Sequence, residues 1–396
     1  MDIHQYLAGC AWDKADLEAF LDPETPGWAR FDPLTGYALD DICMRDGVDD
    51  SFTISTYTPD LARRMVRYRE RPCRINTYGD SFTQCHQVSD GETWQEVLAA
   101  HLGEPVRNFG VGGFGVYQAF CRLRHIEQGE LGAPYVVLNI YDDDHVRNLD
   151  AARWFRLAGF RSAMGANIRS MMHANPWPHV RLDVSTGRFC ARDNPMPAAD
   201  DLYQLCEPAT VDALFAGDEV VQLECLRNDI DVDDIEPLRA LAEALGADVD
   251  LAGPDRARQA DRLLVHYGLQ STLYTLDLVR NFVAEHGRKL LIVLSYSGKS
   301  VIRHLRGEPR FDGVLLDYLS RTGLPVVDML EEHAADARDF ALDPAAYCDR
   351  YYIGHYNPTG NHFFAFAMKD PLVHWLDPTP VTYRGDGFVA AAGDLA

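Results

Sequence analysis

The chain has 396 residues, 47% hydrophobic and 24% charged, which is typical of a globular protein with a substantial core. Its formal net charge is −23. Nucleic acids and anionic membrane surfaces attract proteins through Lys and Arg, so this charge argues against both as partners.

The cysteines and the N-terminus predict a cytoplasmic protein. The nine cysteines are scattered, without a CxxC pair or the spacing of zinc ligands, which favours reduced thiols. Residues 1–20 contain no basic segment followed by an apolar one, so we expect no signal peptide. No run approaches the roughly 18 apolar residues of a membrane span.

The order of predicted elements divides the chain into an arm, an α/β domain and a tail. Residues 1–72 are rich in Asp, Pro and Tyr and predict an irregular arm with short helical pieces. Strands and helices alternate over residues 73–376, which predicts a parallel sheet covered by helices. The alternation stops over residues 150–270, which we interpret as an insertion, either a lid or an interaction surface. Residues 377–396 are the predicted tail.

The α/β domain is predicted to begin with a strand at Arg74–Tyr78. A capping box at Ser89 and Glu92 then precedes an amphipathic helix that ends at Gly103. Nearly continuous apolar runs are typical of parallel strands buried on both faces. The later predicted elements are strands at Pro105–Phe109, Pro134–Tyr141, Lys289–Leu294 and Leu324–Met329, helices at Val116–Ile126, Ser271–His286 and Phe311–Thr322, and a hairpin within residues 179–195.

The stretch Gly79-Asp80-Ser81 places a hydroxyl where the first strand ends and a helix is predicted to begin. Gly79 permits a sharp turn, and the first N–H groups of a helix are unpaired and favour an anion. Such a turn can expose a nucleophilic Oγ beside donors for an oxyanion. The alternative is that Ser81 only caps the helix, which is the commoner role of an isolated G-D-S.

A glycine-rich segment, Asn108–Gly115, lies between a predicted strand and a predicted helix. Gly110, Gly112 and Gly115 fit the GxGxxG pattern of dinucleotide-binding proteins. The segment follows the second strand instead of the first, however, and no acidic residue stands on a strand end about twenty positions later. The glycines are equally suited to expose a backbone N–H to a reacting carbonyl.

The third segment is Tyr351–Met368, in which Asn357 and Pro358 have the pattern of a helix N-cap and first residue. His355 lies in the loop before this helix, where its imidazole can reach a site. His362 falls inside the helix, where a packed or surface role is expected, and its spacing from His355 gives a metal pair little support.

Together, G-D-S-F-T at 79–83, N-x-G-x-x-G at 108–113 and H-x-N-P-x-G-N at 355–361 resemble the SGNH (GDSL-type) hydrolase family. The resemblance covers residues 73–150 and 289–376. It implies a three-layer α/β/α, flavodoxin-like fold with a mostly parallel sheet, and Ser–His acyl chemistry without a cofactor or metal.

The resemblance also assigns roles to individual residues. It implies that Ser81 is the nucleophile and His355 the general base, and that the N–H groups of Ser81 and Gly113 hold the oxyanion. Asp143 stands where the family has an Asn that donates to the oxyanion, so Asp143 must be protonated, turned away or used otherwise.

The residue three positions before the family's histidine is usually an Asp that orients it, and here it is Tyr352. Asp349 is the candidate acid, and Asp328 or no carboxylate at all are the alternatives, because a backbone carbonyl or a Tyr hydroxyl can also orient an imidazole. The acidic run at residues 142–144 with His145 is expected to be solvated or to support the site, since adjacent residues leaving a strand point in different directions and rarely ligate one metal.

These residues predict an intracellular serine esterase acting on a small or carbohydrate-linked ester, often an acetyl ester. The alternatives are an O-acyltransferase on the same fold, a binding protein on a hydrolase fold that has lost activity, and a dinucleotide-dependent enzyme.

Overall fold

The computed structural model describes residues 1–156 and 175–384, which form two compact units. Unit 1 comprises Met1–Asp40, Gly115–Cys121 and Asp143–Asp277; unit 2 comprises Asp41–Phe114, Arg122–Asp142 and Leu278–Ala396. The predicted arm, residues 1–72, is therefore divided between the units. The predicted insertion falls in unit 1, and parts of it and of the predicted tail lie outside the described residues.

The strands of the described residues are β1 (Ala29–Asp32), β2 (Gly36–Leu39), β3 (Ile42–Arg45), β4 (Phe52–Ser55), β5 (Ile75–Tyr78), β6 (Arg107–Asn108), β7 (Tyr135–Tyr141), β8 (His179–Asp183), β9 (Arg188–Arg192), β10 (Lys289–Ser295) and β11 (Val326–Asp328).

The α-helices of the described residues are α1 (Ile3–Gly9), α2 (Lys14–Leu21), α3 (Ser81–Gln84), α4 (Trp94–Leu102), α5 (Val116–Glu127), α6 (Asp144–Arg147), α7 (Pro208–Phe215), α8 (Glu219–Arg227), α9 (Glu236–Ala244), α10 (Arg256–Glu285), α11 (Gly298–Leu305), α12 (Gly313–Thr322), α13 (Met329–Ala337), α14 (Pro344–Cys348) and α15 (Pro358–Trp375). Short 3-10 helices occur at Val48–Asp50, Asp90–Glu92, Arg153–Arg156, Ala199–Cys206 and Val381–Tyr383.

Unit 2 is built on a five-stranded parallel sheet in the order β11-β10-β7-β5-β6. Read from the β6 edge and numbered by their order in the chain, the five strands run 2-1-3-4-5. The direction of winding reverses between β5 and β7. In doubly wound sheets, ligands bind beyond the carboxyl ends of the strands at such a reversal. The residues that follow β5 and β7 therefore occupy the expected position of a site.

The apolar runs predicted as strands form the centre of this sheet. In β7 and β10 every residue is buried except the last residue of β7 and the first of β10. Helices flank the sheet: α13 contacts β10, and α15 contacts both β11 and α4. The α/β prediction is confirmed, and the arrangement is consistent with a three-layer α/β/α fold.

Helix α15 begins as its sequence predicts. The Asn357 side chain accepts a hydrogen bond of 2.8 Å from the Gly360 N–H, and Pro358 is the first helical residue. The helix packs against α4 through the rings of Trp94 and Phe364, whose centroids are 4.9 Å apart. This packing fixes the start of α15, and with it the loop that carries His355.

Several predicted elements differ in extent from the structure, among them the strand predicted at Leu324–Met329, which is Val326–Asp328. The predicted helix Ser271–His286 is the second half of α10, because buried residues such as Leu263 and Tyr267 continue its apolar face toward the N-terminus. The predicted strand Pro105–Phe109 is only the two-residue β6 at the sheet edge. The predicted hairpin is confirmed as the antiparallel pair β8–β9.

Unit 1 is mainly helical, with two antiparallel hairpins, β1–β2 and β8–β9. Its core gathers leucines from α8, α9 and α10, among them Leu223, Leu238 and Leu263. Within the described residues, every helix of the protein is too short or too polar to cross a bilayer.

The turn from β5 into α3 requires glycine at position 79. Gly79 has φ +150°, and a Cβ there would collide with Thr83 Oγ1 and lie 2.6 Å from the Asn139 carbonyl oxygen. At Gly110 a Cβ would collide with the Gln84 N atom and lie 2.6 Å from the Thr83 carbonyl carbon. The glycine-rich segment is therefore needed for close backbone packing against α3.

We expect Gly79→Ala to lower the free energy of unfolding by about 2–5 kcal/mol, because it adds a backbone clash to an unfavourable φ. Chemical denaturation followed by fluorescence measures this loss. The matched control is Gly313→Ala at the start of α12, where a Cβ would meet no atom within 4 Å. Equal stabilities of the two variants would contradict the packing described for the turn.

Candidate active site

Ser81 is the first residue of α3, immediately beyond the carboxyl end of β5. Asp80 caps this short helix, and its Oδ1 accepts a hydrogen bond of 2.9 Å from the Phe82 N–H. The capping role considered for Ser81 thus belongs to Asp80, which leaves the Ser81 hydroxyl available. Only 8% of Ser81 is exposed.

His355 meets Ser81 although 274 positions separate them in the chain. The imidazole Nε2 lies 2.8 Å from Ser81 Oγ. A second, longer contact of 3.2 Å joins Ser81 Oγ to the Asp80 carboxylate. The structure thus brings together the two residues predicted as nucleophile and base, at a distance suited to proton transfer.

Gln87 binds the other nitrogen of this imidazole. Its Oε1 lies 3.1 Å from His355 Nδ1 and also accepts from the His355 backbone N–H at 2.8 Å. The Gln87 Nε2 donates to the Asp46 carbonyl at 3.0 Å, which fixes the orientation of the amide. Since a carbonyl oxygen only accepts, Nδ1 of the neutral ring carries the proton. Nε2 therefore presents its lone pair to Ser81.

A glycine permits this contact between the two loops. Gly354 has φ +114°, and a Cβ at that position would lie 2.8 Å from Gln87 Oε1. Gln87 itself has φ +71°, an unusual conformation for a residue with a side chain. The backbone on both sides thus adopts rare angles in order to bring the amide to the imidazole.

The structure places the Gln87 amide at His355 Nδ1, whereas Asp349 as the orienting acid stays a prediction. Asp349 is exposed and lies at the C-terminal end of α14. The alternative, Asp328, caps α13 and forms an ion pair of 2.6 Å with Arg310. Gln87 could not be predicted from the sequence, because a neutral side chain that orients a histidine has no characteristic sequence pattern.

A second imidazole that the sequence analysis did not single out, His86, borders His355. The two ring centroids are 5.0 Å apart and the rings are nearly perpendicular. His86 Nε2 lies 3.4 Å from the Asp46 carboxylate. Burial lowers the pKa of His86, although the charge of Asp46 opposes this effect. His86 is therefore neutral at neutral pH and adds no positive charge beside His355.

The glycine-rich loop is joined to the turn that carries Ser81. The Val111 N–H donates to the Gly79 carbonyl, and the Gly112 N–H donates to Gln84 Oε1, both at 3.0 Å. Within the described residues, neither the Ser81 N–H nor the Gly113 N–H has a hydrogen-bond acceptor. The role of these two N–H groups as oxyanion donors stays a prediction.

Asp143 is engaged in an ion pair of 2.9 Å with Arg147 in unit 1. Burial would raise the pKa of the Asp143 carboxyl, but the charges of Arg147, Arg156 and Arg153 outweigh it and lower the pKa to about 2. An ionised carboxylate has no proton to donate, so this pairing does not favour Asp143 as an oxyanion donor. Its alternative use is as the partner of these arginines.

The other acidic residues that follow β7 have partners of their own. The Asp142 carboxylate accepts hydrogen bonds from the Ser297 N–H at 3.1 Å and the Ser300 hydroxyl at 2.6 Å. Asp144 pairs with Arg147 at 2.8 Å. In the part of the chain that the structure describes, no three His, Cys, Asp or Glu side chains are grouped so that they could hold a metal ion.

Comparison of the chain with models of protein families gave no match, and comparison with curated proteins gave none either. The interpretation of the site therefore depends on its residues and geometry.

We expect Asp143→Asn not to increase the rate at which a fluorophosphonate reacts with Ser81, because Asp143 is committed to arginine. Asp248→Asn, at an exposed position in the same unit, controls for the lost charge. A gain of about 100-fold in Asp143→Asn alone, as expected on restoring an oxyanion donor, would contradict this assignment.

Proposed function

We propose that the protein is a serine acyl hydrolase of the SGNH type, an esterase that forms an acyl-enzyme on Ser81. The observation that carries this proposal is the 2.8 Å contact between Ser81 Oγ and His355 Nε2. The strand order 2-1-3-4-5, which is that of flavodoxin-like folds, supports it, since Ser81 follows a strand at the reversal.

Acylation begins when Ser81 Oγ attacks the ester carbonyl and its proton passes to His355 Nε2. The carbonyl oxygen becomes an oxyanion, for which the N–H groups of Ser81 and Gly113 are the donors. Each such donor contributes about 100- to 1000-fold in rate. The C–O bond of the ester then breaks, and His355 returns the proton to the departing alkoxide.

Deacylation repeats these steps with water in place of the serine hydroxyl. His355 removes a proton from water, hydroxide adds to the acyl carbon, and Ser81 leaves with the proton that His355 returns. If an alcohol or a sugar hydroxyl replaces water, the same steps yield acyl transfer. The carbohydrate-linked ester and the cytoplasmic location remain predictions from the sequence.

Gln87 gives this pair a neutral third member. It favours the Nδ1–H tautomer, which a base at Nε2 requires. It carries no charge, however, and stabilises the imidazolium less than the carboxylate of a Ser-His-Asp triad does. The proposal is therefore a Ser-His-Gln arrangement.

We expect a fluorophosphonate to label the wild-type protein and not Ser81→Ala, as measured by intact-protein mass spectrometry. His355→Ala should lower the labelling rate by about 10⁴- to 10⁶-fold, because no base then accepts the Ser81 proton. Ser320→Ala, an exposed serine on α12, is the matched control and should be labelled as wild type is.

A panel of esters on the same variants separates the possible activities. Turnover in water that depends on Ser81 supports the hydrolase, and a large gain on adding a sugar or alcohol acceptor supports the transferase. Folded wild-type protein that is neither labelled nor active on any ester would contradict the proposal and favour the binding protein.

Substitutions of Gln87 test its role as a neutral partner of His355 through the pH dependence of kcat/KM. We expect Gln87→Ala to lower kcat/KM by about 10- to 100-fold without moving the acid limb of the pH–rate profile upward. Gln87→Glu places a negative charge beside His355, which favours the imidazolium and raises its pKa. The acid limb should therefore move to higher pH in Gln87→Glu only, and identical profiles for the two variants would contradict this role.

A further inference from the structure

His333, a buried histidine of α13, has three tyrosine hydroxyls within hydrogen-bonding distance in unit 2. His333 has no exposed surface. Its Nδ1 lies 2.9 Å from the Tyr347 hydroxyl, and its Nε2 lies 3.1 Å from that of Tyr352 and 2.8 Å from that of Tyr356.

The donor and the acceptor of each hydrogen bond in this cluster can be assigned. Tyr347 donates to the Asp336 carboxylate at 2.9 Å, so its oxygen must accept from His333 Nδ1. Burial lowers the pKa of His333 to about 3, so the ring is neutral and Nε2 is an acceptor. Tyr352 donates to the Tyr296 carbonyl at 3.1 Å. Tyr356 is then the donor to Nε2.

Two of these tyrosines enclose the turn that carries His355. Tyr352 and Tyr356 face each other across an antiparallel bridge, and the Ile353 N–H donates to the His355 carbonyl at 2.9 Å inside the turn. Holding both ends of so short a turn restricts the position of the imidazole between them.

The same turn also packs against the residue that follows Ser81. The ring of Phe82 lies edge-on to Tyr356 at 5.3 Å and 5.2 Å from the ring of His355. Phe82 in turn stacks on Tyr141 at 4.4 Å. A shift of Tyr356 would therefore disturb the contact between the Ser81 turn and His355.

We infer that His333 is a positioning residue, which holds the Tyr352–Tyr356 turn so that His355 Nε2 stays within proton-transfer distance of Ser81. The inference rests on the proposed function for its catalytic readout. His333 does not contact Ser81 or His355 in the hydrogen bonds described, so it acts on the turn through the hydrogen bond from Tyr356 and the close contact with the Tyr352 hydroxyl. A displacement of about 1 Å between reacting groups costs about 100-fold in rate.

Replacement of His333 should lower kcat and leave KM nearly unchanged, because His333 is not placed to touch substrate. We expect His333→Phe, which keeps an aromatic ring and loses both hydrogen bonds, to lose about 100-fold in kcat. His333→Gln keeps one donor and one acceptor and should retain more activity. Tyr356→Phe should resemble His333→Phe, because both variants remove the hydrogen bond between the Tyr356 hydroxyl and His333 Nε2. The double variant should therefore be no slower than either single variant.

Fluorophosphonate labelling separates positioning from loss of folded protein. If His333 positions the turn, the labelling rate constant falls while nearly all molecules are eventually labelled. Leu319→Ala, a buried leucine of α12, is the control for lost stability and should keep the wild-type rate constant. A reduced labelled fraction with an unchanged rate constant in His333→Phe would overturn the inference.

¹⁵N NMR of histidine side chains gives a test that does not need activity. In wild type, His333 should show the neutral Nδ1–H tautomer down to about pH 4. His333→Phe should shift the ring signals of His355, and unchanged His355 signals in this variant would overturn the inference. If wild type is not labelled but these signals behave as expected, the proposed function fails while the positioning of His355 stands.

Discussion

The hydrogen bond between the Ser81 hydroxyl and His355 Nε2 is the interaction on which the site depends. It joins two turns 274 residues apart in sequence, at a distance of 2.8 Å. The first turn is formed because Gly79 lets β5 pass into α3, and the second lies just before α15, whose start is fixed by packing on α4. Both turns belong to the unit that contains the parallel sheet. Rare backbone angles at Gly79, Gly354 and Gln87 occur at the turns that approach each other.

The groups that surround the His355 imidazole and fix its tautomer and position are uncharged. Gln87 fixes its tautomer through a carbonyl oxygen, and the neighbouring His86 is kept neutral by burial. His333 and its tyrosines lie under the same turn and are also neutral. An imidazole in such surroundings receives less stabilisation of its charged form than a carboxylate would provide. The carboxylates that follow β7 are instead engaged by serines and arginines.

Much of the sheet and the pairing of Ser81 with His355 can be predicted from the sequence. The continuous apolar runs of β7 and β10 have few alternatives to buried parallel strands, and the short motifs around Ser81 and His355 mark turns with required glycines and a helix cap. Gln87 could not be predicted, because an amide that orients histidine has no characteristic spacing. The division into two units could not be predicted from local sequence patterns either, because contacts among segments distant in the chain define it. The role predicted for Asp143 came from its position in the family motif. The arginines whose charges lower the pKa of its carboxyl follow later in the chain and are not part of that motif.

Detection of the acyl-enzyme tests the central claim most directly. Wild-type protein mixed with p-nitrophenyl acetate, quenched in acid during turnover and digested, would be mapped by mass spectrometry. The account predicts an acetyl group on Ser81, formed together with the release of p-nitrophenol and absent after substitution of His355. Acetylation of a different residue, or ester turnover with no acetyl group on Ser81, would contradict it.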